Sequence, residues 1–199
     1  MLNMLSLAEQ FTLRALTWRV IGEALTSLNP FLSLWVVSGK NYICSSFAGA
    51  LSSTVLSKQG WLTDLETVVM EKEDDAEELE KLIDKDVIYL WFGWESDLDT
   101  NYKLTKAALK KLALLDYQWD VFFHVRVWVP GLVEKAYLED SDIAEFLTEN
   151  PGLWTFKFDL EKGVFVIAQP HFAWEDIHLH EIKQVPITKQ HLDLLKASL

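Results

Sequence analysis

The chain has 199 residues, half of them hydrophobic, which is enough for one sizeable core and too apolar for a disordered segment. Its 30 acids against 18 bases leave a net charge of -12, which argues against nucleic acid and against anionic membrane surfaces, since both call for a basic stripe. The single cysteine, Cys44, permits no internal disulfide, and residues 1–10 hold no Lys or Arg for a signal peptide, so a cytoplasmic location is the expectation.

Residues 5–28 predict a helix: Met4, Ala8, Phe11, Ala15, Trp18, Gly22 and Leu25 recur at alternating spacings of four and three, and Leu13, Leu16 and Val20 widen that stripe. Its polar remainder is thin, so the helix should be gripped on more than one side or offered to another chain. Asn29-Pro30 stops it. Phe31 to Val37 reads as a buried strand closed by Ser38-Gly39, and Lys40 and Asn41 interrupt any membrane-spanning reading of 31–56. The small, uncharged run from Asn41 to Ser57 favours close backbone packing without choosing between strand and helix. Thr63 and Glu66 form a capping-box pattern, yet LETVVME alternates like a strand. Residues 72–86 predict a solvated helix with Ala76, Leu79, Leu82 and Ile83 on one side and a Glu77–Lys81 pair.

Val87 to Trp94 is a strong strand pattern, and residues 101–115 combine an apolar stripe with good helix formers. Trp119 to Pro130 reads as the central strand, with Trp119, Val121, Phe123, Val125, Val127 and Val129 on an apolar face. Asp120, Phe122, His124, Arg126 and Trp128 form a mixed second face. Ser141 caps a short helix ended by Asn150-Pro151-Gly152. Leu153–Asp159 and Val164–Gln169 form a hairpin around Gly163, and Thr188 caps a last helix. No repeat or linker divides the chain. The expectation is one α+β domain over 1–199, with room for an N-terminal helical extension at 1–30, built on a largely antiparallel sheet with helices on one face.

From Trp119 onward the succession of strand, short helix ending in Glu149-Asn150-Pro151, hairpin WTFKFDLEKGVFVIAQ and final helix HLDLLKA resembles the C-terminal part of the type III secretion chaperone-like family. The chain is longer than a typical member. The resemblance implies a small, acidic, non-enzymatic protein, dimeric, that binds a partner polypeptide.

Two sets of residues suggest chemistry. Glu95, Asp97 and Asp99 follow a hydrophobic strand, and Asp97-Leu98-Asp99-Thr100 is similar to the nucleophile loop of haloacid-dehalogenase-type phosphatases, although the same acids would suit the N-terminus of the following helix. His178 and His180 share one strand face with Asp176, and His171 lies upstream, a set that zinc would accept. Cys44 with His124 is the one nucleophile-and-base pairing to consider, and its flanks carry no thiol-hydrolase signature. The expected function is a non-enzymatic binding protein without a cofactor, a homodimer or the holder of one protein partner. It would grip a polypeptide through Trp18, Phe122, His124 and Trp128. The alternatives are an immunity or inhibitor protein that masks a basic toxin site, and a metal-dependent hydrolase using Asp97 and Asp99 or the histidines.

Overall fold

The computed structural model describes residues 5–28, 33–40, 42–61, 64–92, 97–173 and 176–198, with the side chains of 42–46 and 48 left aside. The element order is α1 (Leu7–Leu28), β1 (Ser33–Gly39), α2 (Tyr42–Gln59), β2 (Asp64–Met70), a 3₁₀ helix (Glu73–Leu82), β3 (Val87–Trp91), α3 (Leu98–Leu114), β4 (Asp120–Phe123), α4 (Val125–Trp128), α5 (Leu132–Glu139), α6 (Ser141–Glu149), β5 (Leu153–Asp159), β6 (Val164–Ala173), β7 (Asp176–Pro186) and α7 (Lys189–Ala197). The seven strands form one sheet in the order β2-β1-β3-β4-β5-β6-β7. The first five are parallel, and β6 and β7 add on antiparallel.

This corrects the expected fold class. The protein is α/β, the sheet is mostly parallel, and helices cover both faces. One face buries Trp35, Val37, Ile88, Leu90, Val121 and Phe123 under the 3₁₀ helix, α3, α5 and α6. The other buries Leu34, Val36, Tyr89, Trp91, Phe122 and Phe156 under α1 and α2. Strands covered on both sides need apolar residues at every position, which is why β1 and β3 read as unbroken hydrophobic runs. The hairpin of β5 and β6 is present as expected, but its first strand closes the parallel part of the sheet, and only β6 and β7 run antiparallel.

The expected central strand divides in two. After β4 the His124 N–H still donates to Leu90 O (3.0 Å), whereupon the chain turns and Val125–Trp128 coil into α4. The alternation of valines through 125–129 suited a strand, but the parallel ladder to β3 ends at Phe123 and tertiary context overrides the propensity. Trp119 precedes β4 and is 54% exposed, and Val125 is half-buried against the second face.

Residues 73–82 form a 3₁₀ helix, in which side chains three apart eclipse. Lys81 accordingly pairs with Glu78, while Glu77 reaches Lys111 of α3 (2.7 Å) in place of the expected Glu77–Lys81 bridge. Ala76, Leu79 and Leu82 are buried, and Ile83 lies out in solvent. Asp140 rather than Ser141 caps α6, accepting from the N–H groups of Asp142 and Ile143. Asn150 explains its own place: its amide donates to Tyr117 O and Trp119 O, and its oxygen accepts from the Gly152 N–H (2.7 Å), tying the entries of β4 and β5 together.

The undecided run 41–57 is α2, and its small residues meet α1 closely. A Cβ at Gly22 would sit 2.9 Å from Thr54 Cβ. Helix α1 is gripped by α2, by the sheet and by α7, whose His191 shares a 2.9 Å hydrogen bond with Thr17. Asn29-Pro30, Phe31 and Thr63 lie outside the described residues. Among the described residues no helix is long and apolar enough to cross a membrane.

Candidate functional site

In a sheet of order 2-1-3-4-5 the connections from β1 and β3 leave on opposite faces, and a crevice opens between them outside the strands' carboxyl ends. Here α2 follows β1 onto one face and α3 follows β3 onto the other. Ser38 is buried at the end of β1, and among the described residues nothing lies within 4 Å of where a Cβ of Gly39 would stand. Lys40 and Glu71, past the ends of β1 and β2, pair at 2.7 Å. Across the crevice Asp97 caps α3: its carboxylate accepts from the Thr100 N–H (2.8 Å) and hydroxyl (3.0 Å), and the backbone bond above all holds its pKa below the ordinary value. Asp99 pairs with Lys103 (2.6 Å). Both acids of the phosphatase-like loop therefore serve the helix, and Glu95 lies outside the described residues.

The carboxyl ends of β3 and β4 lead into a box of rings. Trp18 of α1 contacts Tyr89 (5.0 Å between centroids), Trp91 (4.8 Å) and Phe47 (6.0 Å). His124 sits among them, stacked on Trp18 at 6.0 Å, 5.4 Å from Trp91 and edge-on to Phe156. Its Nδ1 accepts the Arg126 N–H at 3.1 Å and caps α4. Burial pushes the His124 pKa well below its usual value, and the positive charges of Arg126 and Arg14 push the same way. The ring is neutral at pH 7 with its proton on Nε2, a hydrogen-bond donor rather than a base poised for catalysis. Tyr89, next to it, is wholly buried, and its hydroxyl has no hydrogen-bond partner among the described residues.

The residues expected to hold a partner polypeptide do come together in part, but inside the protein. Trp18 and Phe122 are 1% and 0% exposed, and His124 is 6% exposed. Trp128 is half-buried on the other face against Phe123 and Phe172. The surface expected on Phe122 and Trp128 is closed by the chain's own α1, α4 and β6. His178 and His180 lie on β7 as expected, exposed, with His171 facing His178 across the β6–β7 ladder and Asp176 3.2 Å from His178 Nε2. Among the described residues no three His, Cys, Asp or Glu side chains converge as a metal would need. Cys44 falls in α2, its side chain outside the described residues. Sequence reasoning missed Tyr89 and Trp91 as partners of Trp18, and it missed Arg14. The signal for Arg14 was its place one helical turn before Trp18.

A family model described as "Uncharacterized protein" matches residues 10–194. The chain belongs to that family. No curated protein matches it. Among solved structures it is similar to one described as a branched-chain amino acid ABC transporter from Rhodospirillum rubrum, with a TM-score of 0.51 and 16% identity, covering 74% of this chain and 38% of that one. It is also similar to an extracellular ligand-binding receptor from Verminephrobacter eiseniae, with a TM-score of 0.53 and 10% identity, covering 73% of this chain and 38% of that one. At such identities the likeness concerns the fold alone. It agrees with the parallel α/β architecture and against the antiparallel expectation.

Proposed function

We propose that the protein is a binding module whose ligand, a small molecule, sits over the carboxyl ends of β1, β3 and β4. The observation that carries this reading is the reversal of strand order between β1 and β3, which opens a crevice there in sheets of this kind. Open space at Gly39 supports it. The engagement of Asp97 and Asp99 within α3 takes away the pair of acids on which a hydrolase reading rested. The burial of Trp18, Phe122 and His124 turns the reading from a polypeptide partner toward a ligand of crevice size. One structure of similar fold is described as a ligand-binding receptor, and that description points the same way.

Thermal unfolding in the presence of small-solute panels (amino acids, sugars, nucleosides, organic acids) tests this. A solute at about 100 times its Kd adds about 2.7 kcal/mol of stability, well within reach of a melting measurement. Gly39→Leu is the matched variant: no described atom lies within 4 Å of a Cβ there, so the fold should be kept while bulk is added at the carboxyl end of β1. A saturable rise in Tm that Gly39→Leu abolishes is the expected result. No rise with any solute, or an equal rise in the variant, overturns the reading.

A further inference from the structure

The two edges of the sheet are built differently. At one end β7 carries the devices that discourage a further strand: a bulge in which Ile182 is the extra residue, a lysine at 183 and a proline at 186. At the other end β2 carries none of them. Its seven residues hold no Lys, Arg or Pro, and they keep an unbroken parallel register along β1, from Ser33 opposite Asp64 to Gly39 opposite Met70. Among the described residues no strand pairs with the outer side of β2, so the N–H and C=O groups that point away from β1 offer a ladder to an incoming chain.

The side chains of this edge are of two kinds. Leu65, Thr67 and Val69 lie opposite Leu34, Val36 and Ser38, on the sheet face that α1 and α2 cover, yet the cover stops short of them: Leu65 is 37% exposed and Val69 43%. Glu66 lies opposite Trp35 on the other face, exposed and without an ion pair among the described residues. Residues 64–86 hold eleven acids against three lysines, most of the negative excess of the whole chain. Those lysines, with Lys40 and Lys111 from outside, are taken up by Asp74, Glu78, Asp64, Glu71 and Glu77. A second copy would suit the apolar side, since a two-fold axis at Thr67 sets Leu65 against Val69. The same axis sets Glu66 diagonal to its twin at roughly 7–8 Å and brings two acidic segments side by side. Charge therefore decides for a cationic occupant.

We propose that β2 takes up an extended polypeptide segment as an eighth strand, with apolar side chains against Leu65 and Val69 and Lys or Arg side chains on the face of Glu66. The two kinds alternate, because successive residues of a strand point to opposite faces. This edge and the crevice over β1, β3 and β4 stand or fall separately.

The test adds to the full chain an acetylated and amidated peptide that alternates lysine with valine, reading binding by calorimetry and backbone protection by hydrogen exchange. The peptide should bind saturably and slow exchange in residues 64–70 while leaving β7 unchanged. Leu65→Lys puts on β2 the kind of residue that guards β7, at an exposed position, and should weaken binding at least about tenfold. Ile182→Lys, a comparably exposed change on β7, should leave binding as it is. The same peptide N-methylated throughout keeps its charge but cannot join a ladder, and it should not bind. Binding of that peptide, protection of β7 in place of β2, or full affinity in Leu65→Lys overturns the proposal. Equal binding of a peptide that alternates glutamate with valine overturns the cationic assignment. A dimer in light scattering that Leu65→Lys dissociates would give the edge to a second copy and overturns it too, as does the absence of any binding.

Discussion

On the face covered by the 3₁₀ helix, α3, α5 and α6, the sheet packs mainly aliphatic side chains, and lysines of α3 tie its rim to neighbouring acids: Lys110 to Asp140 and Asp142, Lys106 to Glu139, Lys111 to Glu77. On the face under α1 and α2 the same strands present rings, Tyr89, Trp91, Phe122 and Phe156, around a buried histidine. Among the described residues Trp35 Nε1 on the first face and the Tyr89 hydroxyl on the second are buried without a hydrogen-bond partner. Both buried histidines, His124 and His191, belong to the second side. The first face supplies a rigid scaffold through volume and charge pairing. The second carries the buried histidines, whose state depends on protons.

The largest expected effect breaks the scaffold face. Val121→Asp places an unpaired carboxylate at a fully buried position of β4 and should cost more than about 4 kcal/mol, leaving little folded protein. Val125→Asp, at a half-buried position in α4, should cost clearly less. Urea unfolding of the two variants ranks them, and the reverse ranking would restore a continuous strand through His124.

The next effect is confined to the second face and comes from pH. Burial lowers the His191 pKa to about 4 and moves that of His124 in the same direction. A histidine whose folded pKa is depressed contributes stability that is complete above its unfolded value of ~6.5 and is lost as pH falls toward the folded value. Between pH 6.5 and 4 His191 alone accounts for up to about 3 kcal/mol. Asp120 works the opposite way, since burial raises its pKa and its contribution is greatest once it is protonated at low pH. Urea midpoints across that range should fall with acid in the wild type and fall less in His191→Gln; parallel curves would remove His191 from the account.

A smaller effect concerns how α1 and α2 close over the rings. Gly22→Ala forces a methyl against Thr54 and should cost about 1–3 kcal/mol, because two packed backbones must part. Gly39→Ala, with open space around it, should be close to neutral. Equal melting temperatures for the two would mean that α1 does not need its close crossing.

How much of this was legible in the sequence depended on whether the signal was local. Helices α1, α3 and α7, strands β1 and β3 and the hairpin at Gly163 follow from periodicity, propensity and turn chemistry, and all lie close to where those signals put them. The parallel pairing did not follow, because an unbroken apolar run says that a strand is buried without saying which way its neighbour runs. The hairpin, the one pairing written in local sequence, suggested an antiparallel sheet, whereas antiparallel pairing is confined to β5, β6 and β7. His124 shows the limit at one residue. Alternation carried the strand reading through it, whereas the ladder to Leu90 stops there and its ring turns inward to cap α4. The candidate site was half visible: Trp18, Phe122 and His124 stood out by type, but the partners that enclose them, Tyr89, Trp91 and Arg14, lie on other elements and meet only in the fold.

The smallest effect separates a packing role from a ligand role for Tyr89. Its hydroxyl is desolvated and has no partner among the described residues, and burial raises its pKa well above the ordinary value, so it remains protonated throughout the stable range. An unsatisfied buried donor costs about 1–3 kcal/mol, and its removal without loss of ring volume recovers part of that. Tyr89→Phe should therefore raise the stability of the unliganded protein by about 1 kcal/mol, read from urea midpoints at unchanged m-value. Removing the indole N–H of Trp35 offers no comparable test, because any natural replacement also changes the volume of the scaffold face. A loss of stability in Tyr89→Phe would mean that the hydroxyl is bonded in solution, and the contrast between the two faces would then rest on His124 and His191 alone. A gain in the unliganded protein together with a weaker response to a solute that stabilises the wild type would place that hydroxyl among the groups that a ligand completes.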